Sequence, residues 1–358
     1  MSLKKKTVWG ILWTGAGKMG MQGIQVLVTA VLARVLDKSD YGLANLATLV
    51  TSAIIIVNET GLGTAIVMQK EVNKRQLSSV FWGSIGFGVL LFLVFASASA
   101  PLAKLLKNQA VQPLLLVQAV GFIIGSFGVV PRALMAKEMN FKQISMIELS
   151  AAFFSGVLAV SLALAGLGPW SIVCSVLFRD AVIVILVWYV SHWWPQRHFA
   201  WPEFRSVFGF SAQVLANDVA LYMNTNSDIS LVSRYMGSAA VASYGNLLNL
   251  VKLPVSRLAQ IVSKVAFPAF ARVQDDIAAF RRGYVQAIAG ISSLTFPMLI
   301  GLGVFSREVV IILFSRKYED MVQPLMILVP YAMLKSVVTI KGSVLIARRR
   351  PGIELTWN

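Results

Sequence analysis

QISMIELSAAFFSGVLAVSLALAGLGPWSIVCSVLFRDAVIVILVWYV, residues 143–190, is the stretch on which the class of this protein turns. Two apolar runs, 143–165 and 168–190, are separated only by a short break at Gly166-Leu167. At about 1.5 Å of rise per residue, each run as a helix spans the roughly 30 Å hydrocarbon core of a bilayer. A helix on the surface of a soluble domain alternates a polar face with an apolar one. These runs carry only Glu148, Arg179 and Asp180 as charges, so they read as two back-to-back membrane crossings.

The same pattern extends in both directions. Comparable runs occupy 7–35, 42–66, 77–99 and 112–135 before this stretch, and 207–233, 237–262, 284–304 and 322–347 after it. The expected fold is therefore an all-α polytopic membrane protein with about ten transmembrane helices. Composition agrees: 57% of the residues are hydrophobic and 13% charged, with a mean hydropathy of +0.71, whereas soluble domains carry about 25% charged residues. Lys4, Lys5 and Lys6 precede the first run as they would a signal peptide. That run is too long for an h-region and holds Gln22 and Gln25, so it is read as a retained span.

A formal net charge of +16 suggests a nucleic-acid partner, but its distribution argues against one. The cations lie in short clusters between apolar runs and form no folded basic face. With the N-terminus inside, eighteen Lys and Arg residues fall in cytoplasmic segments and eight in outer loops, so the N-terminus is predicted to be cytoplasmic. Trp9, Trp13, Trp82, Trp188, Trp193 and Trp194 then mark inner helix ends, and Trp170 an outer one. The single cysteine, Cys174, cannot form an intrachain disulfide and is read as a packing residue. His192 and His198 lack metal-ligand spacing and are read as surface residues.

Two links stand out. Pro195 to Arg205 is the longest polar link in the first part of the chain and sets the expected lobe boundary, with six helices in 1–195 and about four in 196–358. Lys264 to Gly283, with Phe267, Phe270, Ile277 and Phe280 among charges, fits an interfacial helix. Arg34 followed by Tyr41-Gly42 and Asn45 is echoed by Arg234 followed by Tyr244-Gly245 and Asn249. Such an echo equates helices one and two with seven and eight, which is a parallel repeat.

Gly15-Ala16-Gly17-Lys18-Met19-Gly20 spells GxGxxG, yet it lies within an apolar helix and not between a strand and a helix. Gly17, Gly20 and Gly23 are expected to let a neighbouring helix approach closely. The chemistry-bearing signal is charge inside the spans. Lys18, Arg179, Lys252, Arg257, Lys335 and Lys341 remain after the loop cations are counted, and each costs about 2.5–3.5 kcal/mol at the centre of an inserted helix. Arg257 and Lys341 lie near the inner face and either snorkel or join the others; Lys18, Arg179, Lys252 and Lys335 are expected to line a water-filled cavity. The in-span acids are Glu59, Glu148, Asp180, Asp218 and Asp228, each read either as a partner for a cation or as a binder of H+ or Na+. Arg179 and Asp180 are adjacent in sequence, and since such neighbours do not face each other on a helix they are not an automatic pair. Pro254, Pro297 and Pro330 are expected to kink helices of the second lobe.

Several of these pieces together resemble a known family. They are Leu32-Ala33-Arg34 with Asp40-Tyr41-Gly42-Leu43, Gly61-Leu62-Gly63 with Gln69-Lys70, Ala100-Pro101, and Pro131-Arg132-Ala133-Leu134 with Asn140-Phe141. Gly166 to Trp170, Asp228, Leu253-Pro254 and Phe267-Pro268 complete the set. In order and spacing they resemble the polysaccharide transporter family, the Wzx-type flippases of the multidrug/oligosaccharidyl-lipid/polysaccharide exporter superfamily. The resemblance implies two helical bundles around a central cavity in a bacterial cytoplasmic membrane. It also implies a lipid-linked anionic glycan as cargo, membrane lipids and other polysaccharide-assembly proteins as partners, no cofactor beyond a coupling ion, and no enzymatic activity. The cationic spans suit an anionic headgroup. Similar proteins continue beyond Arg348-Arg349-Arg350-Pro351, so the resemblance predicts a second bundle short of at least two helices. A multidrug exporter of the same superfamily would favour an acidic cavity. A glycan polymerase or ligase would need a sizeable outer loop, and the outer loops here are short.

Overall fold

The computed structural model describes residues 3–55, 63, 66–67, 73–205, 226, 228–252 and 277–338, and every regular element among them is helical. In chain order these are α1 (Leu3–Val35), α2 (Lys38–Ile55), α3 (Lys74–Leu105), α4 (Val111–Ser126), α5 (Val129–Lys137), α6 (Phe141–Leu164) and α7 (Trp170–Ser191). Then come α8 (228–252), α9 (Ile277–Val304), α10 (Ser306–Phe314), a 3-10 turn (Arg316–Met321) and α11 (Val322–Val338). Among the described residues, Lys74–Leu105, Phe141–Leu164, Trp170–Ser191, Arg281–Val304 and Arg316–Val338 are long and apolar enough to cross a membrane. These match the expected spans 77–99, 143–165, 168–190, 284–304 and 322–347. Helix α1 has the length of a span, at 33 residues, but not the apolarity of these five; Lys18, Gln22 and Gln25 interrupt it. The expected span 207–233 and the interfacial helix at 264–283 lie mostly outside the described residues, as does Pro254.

One expected span is broken. Residues 112–135 were read as a single helix; the structure has α4 and α5, bent by 48°. Pro131 is the cause: it has no N–H to offer the carbonyl four residues back, and its ring crowds that carbonyl. That carbonyl belongs to Phe127, and it is satisfied instead by the indole of Trp188 on α7, whose Nε1–H donates to it over 2.9 Å. The lost helical bond is thus replaced by a bond between helices, as a low-dielectric setting demands. Pro101, Pro297 and Pro330 lie inside α3, α9 and α11.

The chain divides into two compact units, Met1–Ala242 and Ser243–Asn358. In the first, α1 runs alongside α6 with matching register. Gly17 lies against Ser145, Gly20 against Leu149, and Val28 against Gly156. Both numbers climb together, so the two helices are parallel. Gly17 and Gly20 serve the close packing expected of them, but Gly23 has nothing near its Cβ position and does not. The third glycine turns away because three-residue steps drift off a helix face with 3.6 residues per turn.

The N-terminal turn of α2 packs against residue 238 so closely that a Cβ on Gly42 would collide with the Ser238 carbonyl oxygen. Nearby, Gly237 takes a left-handed φ of +82°, interrupting α8 at the place where the sequence predicts a boundary between spans. Arg234 reaches back to α3 and donates from Nη1 to the Leu105 carbonyl, 2.8 Å away, near the helix end. Leu43, Leu46, Leu114, Ala119, Phe122, Val173 and Val241 fill the core between these elements.

Six of the buried serines bond to the backbone about one turn back. Ser84, Ser99, Ser126, Ser155, Ser171 and Ser175 each donate to a carbonyl three or four residues earlier, so small polar residues pack without a cost in unmade bonds. Gln118, in the middle of α4, is different: it is fully buried, and among the described residues neither its Oε1 nor its Nε2 meets a partner.

The link after α7 also folds within the first unit. His192 ends α7 in a left-handed conformation with φ of +49°, and the chain then returns across the start of α3. Ser78 Oγ accepts the Gln196 N–H (2.9 Å), and Ser79 Oγ accepts that of Ala200 (3.0 Å) while donating to Glu203 Oε2 (2.7 Å). Trp82 Nε1–H donates to the Gln196 carbonyl at 3.0 Å. Phe204 is buried against Gly83, where any side chain would displace its ring. His198 Nε2 stands 3.5 Å from Glu203 Oε2, so this histidine is not the plain surface residue expected: Ser79 fixes the carboxylate beside it.

In the second unit, α9 and α11 are joined by a buried Thr295–Ser336 hydroxyl pair at 3.1 Å. Ser243 Oγ donates to Asp320 Oδ2 at 3.0 Å. Tyr318, Met321 and Leu325 form the buried centre where the 3-10 turn meets α11.

Candidate functional site

Lys18 lies fifteen residues into α1, about 22 Å along its axis. Its neighbour Gly17 is buried against α6, while Lys18 itself is exposed and, among the described residues, has no hydrogen-bonding or ionic partner. Register places it next to the stretch of α6 that carries Glu148. One turn lower, Lys142 Nζ sits 5.0 Å from the centre of the Trp13 ring.

Glu148 is engaged. Arg132 on α5 donates to its Oε1 in a part-buried ion pair. Sequence reading counted Arg132 among the loop cations. The bend at Pro131 turns it instead towards α6, and Pro131 was the signal in the sequence that could have shown this.

Arg179 and Asp180 do pair, which adjacency alone did not guarantee. On α7, Arg179 Nε and Nη2 both donate to Asp180 Oδ1, at 3.1 and 2.9 Å. Neighbouring Cβ atoms on a helix diverge by about 100°, but the long arginine arm curls round to close that gap. Such a pair also spares both groups from standing charged and alone in an apolar helix.

Asp228 accepts the N–H of Ile229 at 2.9 Å and has further interactions. In the second unit, Lys252 is half-buried and partnered. Lys335 on α11 is exposed, with Nζ 3.4 Å from the Tyr331 hydroxyl and 5.6 Å from the centre of its ring. Arg257, Lys341, Glu59 and Asp218 lie outside the described residues.

In the first unit α6 thus packs against α1, α5 and α7, and charged side chains lie on all four helices. Arg132 and Arg179 are neutralised by carboxylates, and Lys18, among the described residues, is not. Chemically, Lys18 can hold an anion, while the Arg132–Glu148 pair ties α5 to α6 and the Arg179–Asp180 pair stays within α7.

Comparison with known proteins adds to this geometry. The family described as "Polysaccharide biosynthesis protein" matches residues 31–323. Over 360 residues the chain is 28% identical to the lipopolysaccharide biosynthesis protein WzxC of Escherichia coli (strain K12), covering 100% of this chain and 73% of that protein. Among solved structures it resembles the lipid II flippase MurJ in an inward closed conformation, with a TM-score of 0.77 at 14% identity over 96% of this chain and 78% of that one. It also resembles an inward-facing multidrug resistance MATE family transporter of the MOP superfamily, with a TM-score of 0.67 at 14% identity over 92% and 83% of the two chains. The fold is that of MOP-superfamily transporters.

Proposed function

We propose, since this chain belongs to the polysaccharide biosynthesis protein family, that it flips an undecaprenyl-pyrophosphate-linked oligosaccharide from the inner to the outer leaflet of the bacterial cytoplasmic membrane. The reading takes the lobes as 1–195 and 196–358, the mechanism as alternating access, and the N-terminus as cytoplasmic. The glycan serves O-antigen, capsule or exopolysaccharide assembly, and an ion gradient drives the cycle.

The observation that carries the reading is Lys18. An ammonium group halfway along a membrane-length helix, with no carboxylate to neutralise it among the described residues, is costly against lipid and stable against water or an anion. A pyrophosphate supplies two charged oxygen-rich groups for such a cation. Lys252 and Lys335 add further in-span ammonium groups in the second unit, both of them engaged by neighbouring groups. The multidrug alternative calls for unpaired acids, whereas Glu148 and Asp180 are both paired with arginines.

The test is polysaccharide export in cells that depend on this gene. Lys18→Ala should insert and fold normally but abolish export, and Lys18→Arg should partly restore it. The same pattern is expected at Lys252 and Lys335. Normal export by the alanine variants, or loss only through misfolding, overturns headgroup binding.

A further inference from the structure

We propose that residues 192–205, with the first turn of α3, form a docking surface for the anionic headgroups of membrane phospholipid. The hydrogen bonds from Ser78, Ser79 and Trp82 hold the backbone of this strap against α3, and Phe204 is its buried foot. With one side committed inward, the strap turns its other side out. There Trp194 is 77% exposed, Trp201 59% and Phe199 51%, a density of bare aromatic rings that water disfavours and a headgroup layer accommodates.

Charge selects the occupant. Arg197 and Arg205 on the strap and Lys74 and Arg75 at the start of α3 are all exposed. The one acid of the strap, Glu203, is half-buried and turned inward to Ser79. Four cations beside three exposed rings fit a phosphate-bearing, negatively charged lipid layer better than a zwitterionic one. The strap thus fixes the ends of α3 and α7 to the lipid surface. This inference needs only the membrane-protein fold and is independent of the cargo.

The test uses the full chain in nanodiscs, with tryptophan fluorescence quenched by brominated phosphatidylglycerol or brominated phosphatidylcholine at equal mole fraction. The strap's share is the difference between the wild type and a W194F/W201F variant. That share should be quenched by both lipids, and by phosphatidylglycerol at about fivefold lower mole fraction, the factor for a single surface cation. Replacing Lys74, Arg75, Arg197 and Arg205 by alanine should erase the preference. High salt should erase it in the wild type without any substitution, and Arg-for-Lys and Lys-for-Arg exchanges at the four positions should keep it. Equal quenching by the two lipids, or a preference that survives both neutralisation and salt, overturns the proposal. So does a strap quenched by neither lipid, which would mean that protein, another copy or a partner, covers it.

Discussion

At Gly42 a single hydrogen in place of a methyl group decides whether two helices can meet. The obstacle to any side chain is the Ser238 carbonyl, which is backbone and cannot swing aside. Gly42→Ala should therefore cost more than the ordinary 1–3 kcal/mol of overpacking, read as a lowered Tm of the purified protein in detergent. Gly23→Ala, with open space at its Cβ position, should leave Tm unchanged or raise it slightly. The Arg132–Glu148 pair gives a second residue-scale test. Arg132→Ala strands a part-buried carboxylate and should cost about 3 kcal/mol, while the double replacement by methionine should cost much less. A double-mutant cycle on Tm checks this. Of these residues the sequence displayed Gly42 within a familiar motif and Glu148 as an in-span acid. It hid their partners, because Ser238 is 196 positions from Gly42 and Arg132 looked like a loop cation while its helix was taken as straight.

At the level of the element, the apolar runs were legible and their bends were not. A crossing helix advertises itself by length and hydropathy, so α3, α6, α7, α9 and α11 lie close to where they were expected. Hydropathy is blind to direction, and the run from 112 to 135 stays apolar through its 48° bend. Pro131 pointed to the break, but not to Trp188 as the new donor for Phe127, since that choice depends on which helix packs alongside. Trp188→Phe keeps most of the packing and removes only the indole N–H. It should lower stability by about 1–2 kcal/mol, measured by chemical denaturation in micelles, and Pro131→Ala in the same background should recover part of it by restoring the helical donor. The strap at 192–205 was equally opaque: it read as a polar link, because bonds to serine hydroxyls leave no periodic signature in sequence. Ser79→Ala should loosen it, and limited trypsin digestion should then cut faster at Arg197 and Arg205 than in the wild type.

For the whole molecule, orientation is the property that every loop shares in setting, through its excess of lysine and arginine. In a Cys174→Ala background, cysteines placed at Ser2 or Gln196 should resist a membrane-impermeant maleimide in intact cells and react after permeabilisation. Gln196 is exposed, so protection there reports the side of the membrane and not burial; labelling of intact cells would reverse the topology. The chemistry of the first unit was half-visible from sequence. Six in-span cations stood out by their cost, yet composition could not tell Arg179, tied to Asp180, from Lys18, which has no such tie among the described residues.

Gln118 has a practical consequence. An amide sealed in α4, with both ends idle among the described residues, should make the native state less durable than the same shape in hydrocarbon, by about 1–3 kcal/mol for each idle group. Gln118→Met keeps the volume and discards the idle atoms, so it should raise Tm by several degrees. That variant would then be the form to take into crystallisation or cryo-microscopy, where detergent-extracted transporters are commonly lost to slow unfolding before they can be imaged.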